Sequence, residues 1–491
     1  MKKIRLTKQE WKMFVKGLIL FSVLLTPFLF TKTRLDTDTY FILNIGRYTL
    51  DNGFTFTDPF TMHTGLEYVF QQWLTGVYFY VLYNVFGETG LILFIMLEGV
   101  VLLFLFYWLC MFLSGGRFYV SAFLTFVFSL AASSYMTTRP QITTYIIMVL
   151  LIYALEKYVR TGKYRYLCII PLLSVLEINL HAATWVLLFV FALPYVCSPD
   201  ILSKKTGFDG ILYRKMPVLV SLFVSGLCGF INPYGYKAVI YLFMSGGAEN
   251  KLRISELQPL TFTAFYGVLV LILFCTVLIT ASASGKIPIR FLLLCGGTFI
   301  MGILAFRNIV FSAAGSCIYL AYASRNGSCY EMKGVTVIYL KFIICLLAVF
   351  VCCECVMSAL LLTGRTERQE TKDCHEIVRW LDEHGATGSN LCTDFNYGAY
   401  FEFYGYRSSM DARMELYTKQ MNKKHDYYDE YSDFCTGKIY YDDYISAYDF
   451  DYIVINNSLL SGLFEHDEKY EKLVDTDTYD LWRRKEVTAY E

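Results

Sequence analysis

Asp36 and Asp38 stand two apart in Arg34-Leu35-Asp36-Thr37-Asp38-Thr39-Tyr40, just beyond an apolar stretch, Met13 to Thr31. Paired carboxylates at the end of a membrane span suit a general base that works at the bilayer surface, where a lipid-carried reactant can reach it. Each also has a structural role open to it. Asp36 suits the Asx N-cap of the helix that follows, and Asp38 suits an acid in that helix's positively polarised first turn.

Further polar residues recur at the ends of later apolar segments: Arg139-Pro140-Gln141, Asn179-Leu180-His181, Asn232-Pro233-Tyr234-Gly235, Glu256-Leu257-Gln258-Pro259 and Arg307-Asn308. Polar groups converging on one face of an apolar bundle are costly unless paired or hydrated, so these read as the lining of one cavity. Competing roles are span-end anchoring for Arg139 and Arg307, core packing for His181 and helix termination for Asn232 to Gly235. Asp58, before Pro59, suits a turn or an oxygen ligand to a divalent cation. Glu98 and Glu177 lie inside apolar segments and pair within the bundle.

The elements that must position these groups are membrane helices. Hydrophobic residues make up 55% of the chain and apolar runs of about 18 residues recur through its first 363 positions, which excludes a soluble class. The expected spans are 13–31, 89–112, 118–136, 141–159, 166–179, 182–198, 216–235, 262–281, 291–306, 308–323 and 335–362, about eleven. Lys157, Arg160, Lys163 and Arg165, then Lys204, Lys205, Arg214 and Lys215, then Lys286 and Arg290 mark cytoplasmic loops and put the basic N-terminus on the same side. Counting residues 67–86 as a span would invert that pattern. They read instead as an interfacial or re-entrant helix, paired with a second helix at 37–50 in a first outer loop, 32–88.

Residues 364–491 form a separate extracytoplasmic region. Of the 43 basic and 43 acidic residues, 15 and 27 lie from Arg365 onward, so this region is acidic and nucleic acid is an unsuitable partner. A helix from Asp373 to Gly385, strands at Asn390–Thr393 and Asp451–Ile455 and a hairpin at Tyr479–Val487 predict a small α/β domain. It has no phosphate-binding glycine pattern, and it suits an acceptor glycan or a cover over the cavity. The fifteen cysteines show no metal-ligand spacing.

At these residues the chain resembles the GT-C class of integral-membrane glycosyltransferases, which includes protein O-mannosyltransferases and bacterial lipid A aminoarabinose transferases. It is most similar in pattern to a bacterial GT-C-like group with D-x-D-x-W-W-H-x-x-x-G-R, D-P-F-S and H-E-W-L in its first outer loop. Here those stretches are Asp36 to Ile42 with Gly46-Arg47, Asp58-Pro59-Phe60-Thr61 and Gln71-Gln72-Trp73-Leu74. The group's R-P-Q, N-x-H-G, N-P-Y-G, E-W-x-P and R-N elements resemble Arg139–Gln141, Asn179–Ala182, Asn232–Gly235, Glu256–Pro259 and Arg307-Asn308, and the tail matches in style at Tyr397–Tyr400 and Asp411–Tyr417. Ile42 replaces the loop histidine, and Gln71 and Gln72 replace two residues able to carry a proton, which shifts proton transfer onto the aspartates.

The resemblance implies an all-α polytopic bundle that moves a sugar from a polyprenyl-phosphate donor to an acceptor outside the cytoplasm, a cell-envelope glycan, lipid or protein, with inversion. Asp38, with Asp36 as the alternative, takes the acceptor proton, and Arg139 and Arg307 hold the phosphate. His181, Asn179, Gln72, Glu256 and Asn232 complete the substrate contacts. The class includes enzymes with and without a divalent cation. Two other readings fit the same residues: a transporter or flippase of a lipid-linked saccharide, and a noncatalytic glycan-binding membrane protein.

Overall fold

The computed structural model describes residues 7–197, 213–245, 254–284, 288–325 and 368–485. It is mostly helical with one small sheet. Contacts divide it into two units, one of residues 1–33, 91–232 and 251–364, the other of residues 34–90, 233–250 and 365–491.

The first unit is built from apolar helices. They are α1 (Lys8–Phe30), the distal part of α3 (Trp73–Leu113), α4 (Phe118–Ala132), α5 (Gln141–Thr161), α6 (Ile169–Leu180), α7 (Trp185–Cys197), α8 (Met216–Cys228), α10 (Phe265–Ser284), α11 (Ile289–Leu304) and α12 (Ile309–Ser324). Among the described residues, five helices, around α1, α3, α4, α5 and α10, are long and apolar enough to cross a membrane, and three shorter apolar ones lie around α7, α8 and α11. The expected span 335–362 lies outside the described residues. α12 packs against α4, α10 and α11, and α6 against α5 and α8. Tight stacking of Phe106 on Phe128, with centroids 3.9 Å apart, joins α3 to α4, and that of Phe274 on Phe299 at 3.7 Å joins α10 to α11.

One end of this bundle gathers the basic residues. Arg160 donates to the carbonyls of Phe112 (2.8 Å) and Leu113 (3.4 Å), closing the end of α3, and Tyr158 donates to the Arg214 carbonyl at 2.7 Å. Arg290 departs from its expected place in a solvated loop. It is buried at 2% exposure and grips the fully buried Glu156 through Nε (2.7 Å) and Nη2 (3.2 Å). A bidentate pair of this kind is tolerated in an apolar bundle because each charge satisfies the other.

α3 contains a break at Gly87, whose φ of 67° and ψ of −168° suit glycine and not a β-carbon-bearing residue. The segment before it, Trp73 to Phe86, is about 21 Å long at the usual helical rise, short of the roughly 30 Å hydrocarbon core. The helix starts later than the expected residue 67, because Glu67 bridges to Thr57 in extended structure and Tyr68 donates to the Phe56 carbonyl.

The second unit joins the first loop to the C-terminal residues. α2 (Thr37–Asn52) packs on the start of α3, where the Gly46 and Gly76 backbones touch and leave no room for a side chain. It also packs on α14 (Gly398–Phe403), held by Asn44 donating to the Ala399 carbonyl (3.2 Å) and Arg47 to that of Phe403 (2.8 Å). The side chains of Asn44, Arg47, Asp58 and His63, in the stretch read from the sequence as a first outer loop, thus bond to residues between 399 and 413. A core of Ile45, Tyr68, Phe70, Tyr234, Tyr241 and Tyr417 adds α9 (Tyr236–Ser245). α13 (Gln369–Glu383) precedes a five-stranded sheet of order β2-β1-β3-β5-β4: β1 is Asn390–Cys392, β2 Arg407–Ser408, β3 Tyr452–Ile455, β4 Tyr470–Asp475 and β5 Asp480–Arg484. β1 pairs in parallel with β2 and β3, and β5 runs antiparallel to β3 and β4. The expected hairpin at 479–487 is therefore only its second strand, with its partner at 470–475.

Candidate active site

Within the first unit, the chain ends of five helices bring together residues far apart in sequence. Tyr135, Gln141, Thr144, His181, Glu256 and Arg307 line one cavity with an empty volume of about 510 Å³. Arg139 is tied to it through Glu256, Nη1 to Oε1 at 3.1 Å. Four of the motifs at segment ends thus meet at one end of the bundle. The end-to-end order of the helices causes this: Phe306 donates to the Gln258 carbonyl (2.9 Å) and Leu260 to that of Ile303 (3.0 Å), which locks the Glu256 and Arg307 segments side by side.

His181 caps the end of α6, its backbone N–H donating to the Glu177 carbonyl at 2.8 Å. Glu177 and His181 are four residues apart, so both face the same neighbour. That neighbour is Thr144: its hydroxyl donates to Glu177 Oε1 (2.9 Å) and lies 2.8 Å from His181 Nδ1, while Thr184 donates to the same carboxylate oxygen at 2.5 Å. A hydroxyl has one proton, so with Thr144 donating to the carboxylate, Nδ1–H of His181 is the donor to Thr144 and Nε2 remains as an acceptor. The Glu177–Thr144–His181 chain was not recognised from the sequence, although the four-residue spacing carried the signal. Glu98, half-buried, accepts from Thr143 at 2.5 Å.

Arg139 and Arg307 differ. Arg139 is engaged with Glu256, whereas Arg307, exposed in the cavity lining, has no ion-pair partner among the described residues. Tyr135 Oη and Gln141 Oε1 are buried in the same lining and meet no protein hydrogen-bond partner among the described residues. Such groups normally find one, and in a cavity wall a ligand supplies it.

Other sequence candidates have local work. Asn179 Nδ2 donates to the carbonyls of Val175 (2.7 Å) and Ile231 (2.8 Å), joining α6 to the turn after α8, and Asn232 Nδ2 donates to the Gly229 carbonyl (2.8 Å). Neither lines the cavity.

Asp36, Asp38, Asp58 and Gln72 belong to the second unit. Asp36 is the N-cap of α2, 6% exposed, with its carboxylate accepting from the Asp38 N–H at 3.4 Å; Asp38 sits in the first turn. The Gln72 carbonyl accepts from Gly76 N–H at the start of α3.

Asp58, expected as an oxygen ligand to a cation, has both oxygens engaged. Oδ2 accepts from the backbone of Phe60 (3.2 Å) and Thr61 (2.9 Å), and Oδ1 pairs with the Arg413 guanidinium. Asp58, Asp411 and Glu402 surround Arg413, and the rings of Tyr68 and Phe60 lie 4.8 and 5.3 Å from it. No group of three His, Cys, Asp or Glu among the described residues is arranged to hold a metal ion, so these residues do not fit a preassembled cation site.

No protein-family model matches the chain. No curated protein matches it either. Solved structures do. The Archaeoglobus fulgidus oligosaccharyltransferase in its apo form aligns over 91% of this chain and 70% of its own, at a TM-score of 0.55 and 14% identity. The complex of the same enzyme, AglB, with an inhibitory peptide and a dolichol-phosphate aligns over 91% and 69%, at 0.52 and 12%. The form tethered to an acceptor peptide containing the NVT sequon aligns over the same shares, at 0.50 and 13%. At such identities the likeness is one of fold, and that fold is the one to which the chain's motifs pointed: the fold of the GT-C class of glycosyltransferases.

Proposed function

We propose that this chain is a membrane glycosyltransferase that moves a sugar from a polyprenyl-phosphate donor to a cell-envelope acceptor outside the cytoplasm. The observation that carries this reading is Arg307, a cation without an ion-pair partner among the described residues, lining a polar cavity at the end of an apolar bundle with the GT-C fold. An anionic ligand satisfies such a guanidinium, and a lipid phosphate is the anion that a membrane delivers.

In the reaction, the acceptor oxygen attacks the anomeric carbon from the face opposite the phosphate. The bond from that carbon to the phosphate oxygen breaks, the lipid phosphate leaves with the electron pair, and the acceptor proton passes to a carboxylate. Asp38 is the proposed base, with Asp36 setting the start of the helix that presents it. Arg307 stabilises the charge growing on the leaving phosphate, Arg139 is held near by Glu256, and His181, aligned by Thr144, accepts from a hydroxyl of the donor sugar at Nε2.

Arg307→Ala is expected to lower transfer from a purified polyprenyl-phosphate sugar by about 100-fold or more, with Arg307→Lys intermediate because the point charge survives and the fork does not. Near-normal turnover in both variants sinks the reading.

The side of the membrane is separately testable. A cysteine replacing Asn84, an exposed position on the segment before the Gly87 break, is expected to react with a membrane-impermeant maleimide added to intact cells, above the background of the parent chain. Labelling only after permeabilisation places residues 73–86 in the cytoplasm and removes the proposed topology.

A further inference from the structure

We propose that the C-terminal sheet carries a binding pocket for a neutral saccharide ring at the carboxyl ends of β1 and β3. These parallel neighbours lie where the chain order of the sheet reverses: from β1 the chain goes on to β2 on one side, and from β3 to β4 and β5 on the other. Connections that diverge from adjacent parallel strands leave a crevice above their carboxyl ends, the usual ligand position in open α/β sheets. A cleft enclosing about 710 Å³ of empty space, part of it open to solvent, occupies it.

The lining selects the chemistry. Asp394, Asn396 and Asn456 supply a carboxylate and two amides, and Phe395, Tyr431 and Phe434 supply aromatic surface. No Lys, Arg or His is among the lining residues, so nothing there neutralises a phosphate or carboxylate. A ring with hydroxyls at its edge and C–H bonds on its faces matches both sets: hydroxyl pairs bond to carboxylate and amide, and the C–H face packs on an aromatic ring.

The polar groups are held in place before any ligand arrives. Asp394, 8% exposed, accepts from the Tyr397 N–H at Oδ1 and from the Tyr479 hydroxyl at Oδ2, both at 2.8 Å, and the Asn396 backbone also donates to it, which leaves the carboxylate one acceptor position for a ligand hydroxyl. Asn456 donates to Tyr479 Oη at 3.1 Å, which links it to the same network. Asn457 builds the wall, capping the Ser458–Glu465 helix and donating to the Cys435 carbonyl at 3.1 Å. The Asn396 side chain is exposed and meets no protein partner among the described residues.

The pocket belongs wholly to the second unit and needs no transfer step, so its test uses no donor. Full-length protein in lipid nanodiscs is exposed to methyl mannoside, methyl glucoside, methyl galactoside and N-acetylglucosamine at millimolar concentration, with glycerol and glucose 6-phosphate as controls, and read by saturation-transfer difference NMR. At least one neutral ring is expected to receive saturation through its ring protons. Asn396→Ala combined with Asn456→Ala is expected to weaken that binding by about 10-fold or more while the protein stays folded, since both residues are exposed and the lost Asn456–Tyr479 bond leaves the Tyr479–Asp394 bond in place. Absence of transfer to all four rings, equal binding by the double variant, an equal response to glycerol, or tighter binding of glucose 6-phosphate overturns the proposal.

Discussion

Replacing Asp38 by asparagine is expected to lower transfer by roughly two to four orders of magnitude while the chain stays folded and the donor still binds, because asparagine keeps the size and much of the hydrogen bonding but cannot take a proton. Asp36→Asn separates the two aspartates. The Asp36 carboxylate caps α2, and asparagine caps a helix about as well, so this change leaves the helix start intact and tests only charge. If Asp38 served only the helix terminus, Asp38→Asn would cost under about 1 kcal/mol of stability and leave turnover nearly unchanged. Purified wild type and the two variants, assayed with a polyprenyl-phosphate sugar and its acceptor, decide. Near-normal turnover in both variants removes the loop carboxylates as the base and favours a noncatalytic or transporting role.

The polar cavity of the first unit was legible because its residues sit at the ends of apolar segments, and parity alone assigns such ends to one side of a bundle. Arg139, His181, Glu256 and Arg307 come together as that argument requires. The same argument misplaced Asn179 and Asn232, since a polar residue at a helix end serves backbone carbonyls as readily as a ligand, and these two do. α2 begins at the Asx cap that its sequence advertises, and β1 and β3 fall within a residue or two of the expected strands. β2 is two residues long, too short for any periodicity to register.

What could not be read is long-range pairing of charge. Arg290 lies among residues that mark a loop, and only the fold reveals that it spans 134 positions to Glu156. The Asp58–Arg413 pair spans 355 positions. Asp58 of D-P-F-T reads from the sequence as a turn residue or a cation ligand, because local pattern cannot distinguish a carboxylate awaiting a cation from one that already holds a guanidinium. The motifs shared with the GT-C-like group therefore include residues that bind the second unit together, as well as those facing a ligand.

The Arg413 cluster gives the second large effect. One guanidinium, 2% exposed, faces Asp58, Asp411 and Glu402, all buried. Burial opposes the charge on Arg413, but Asp411 and Asp58 outweigh it and hold the side chain ionised. Glu402 is the surplus acid: it lies 3.6 Å from the guanidinium, and burial followed by the nearby Asp411 charge pushes its carboxyl well above the usual range. Arg413→Ala leaves buried carboxylates without their cation and is expected to destabilise the protein by about 3–5 kcal/mol. Glu402→Gln acts in the opposite direction. A carboxyl whose pKa is raised by folding stabilises the fold while protonated, fully below its ordinary value near 4.5, and loses that contribution as pH climbs through the raised value. Wild-type melting temperature is therefore expected to fall as pH rises above the ordinary glutamate range, and Glu402→Gln to flatten that slope and melt higher than wild type at neutral pH. Thermal unfolding in detergent across that range reads both variants. An Arg413→Ala protein as stable as wild type, or a Glu402→Gln protein with an unchanged pH slope, would mean that solvent reaches the cluster and that it does not bind α2 and its loop to the C-terminal residues.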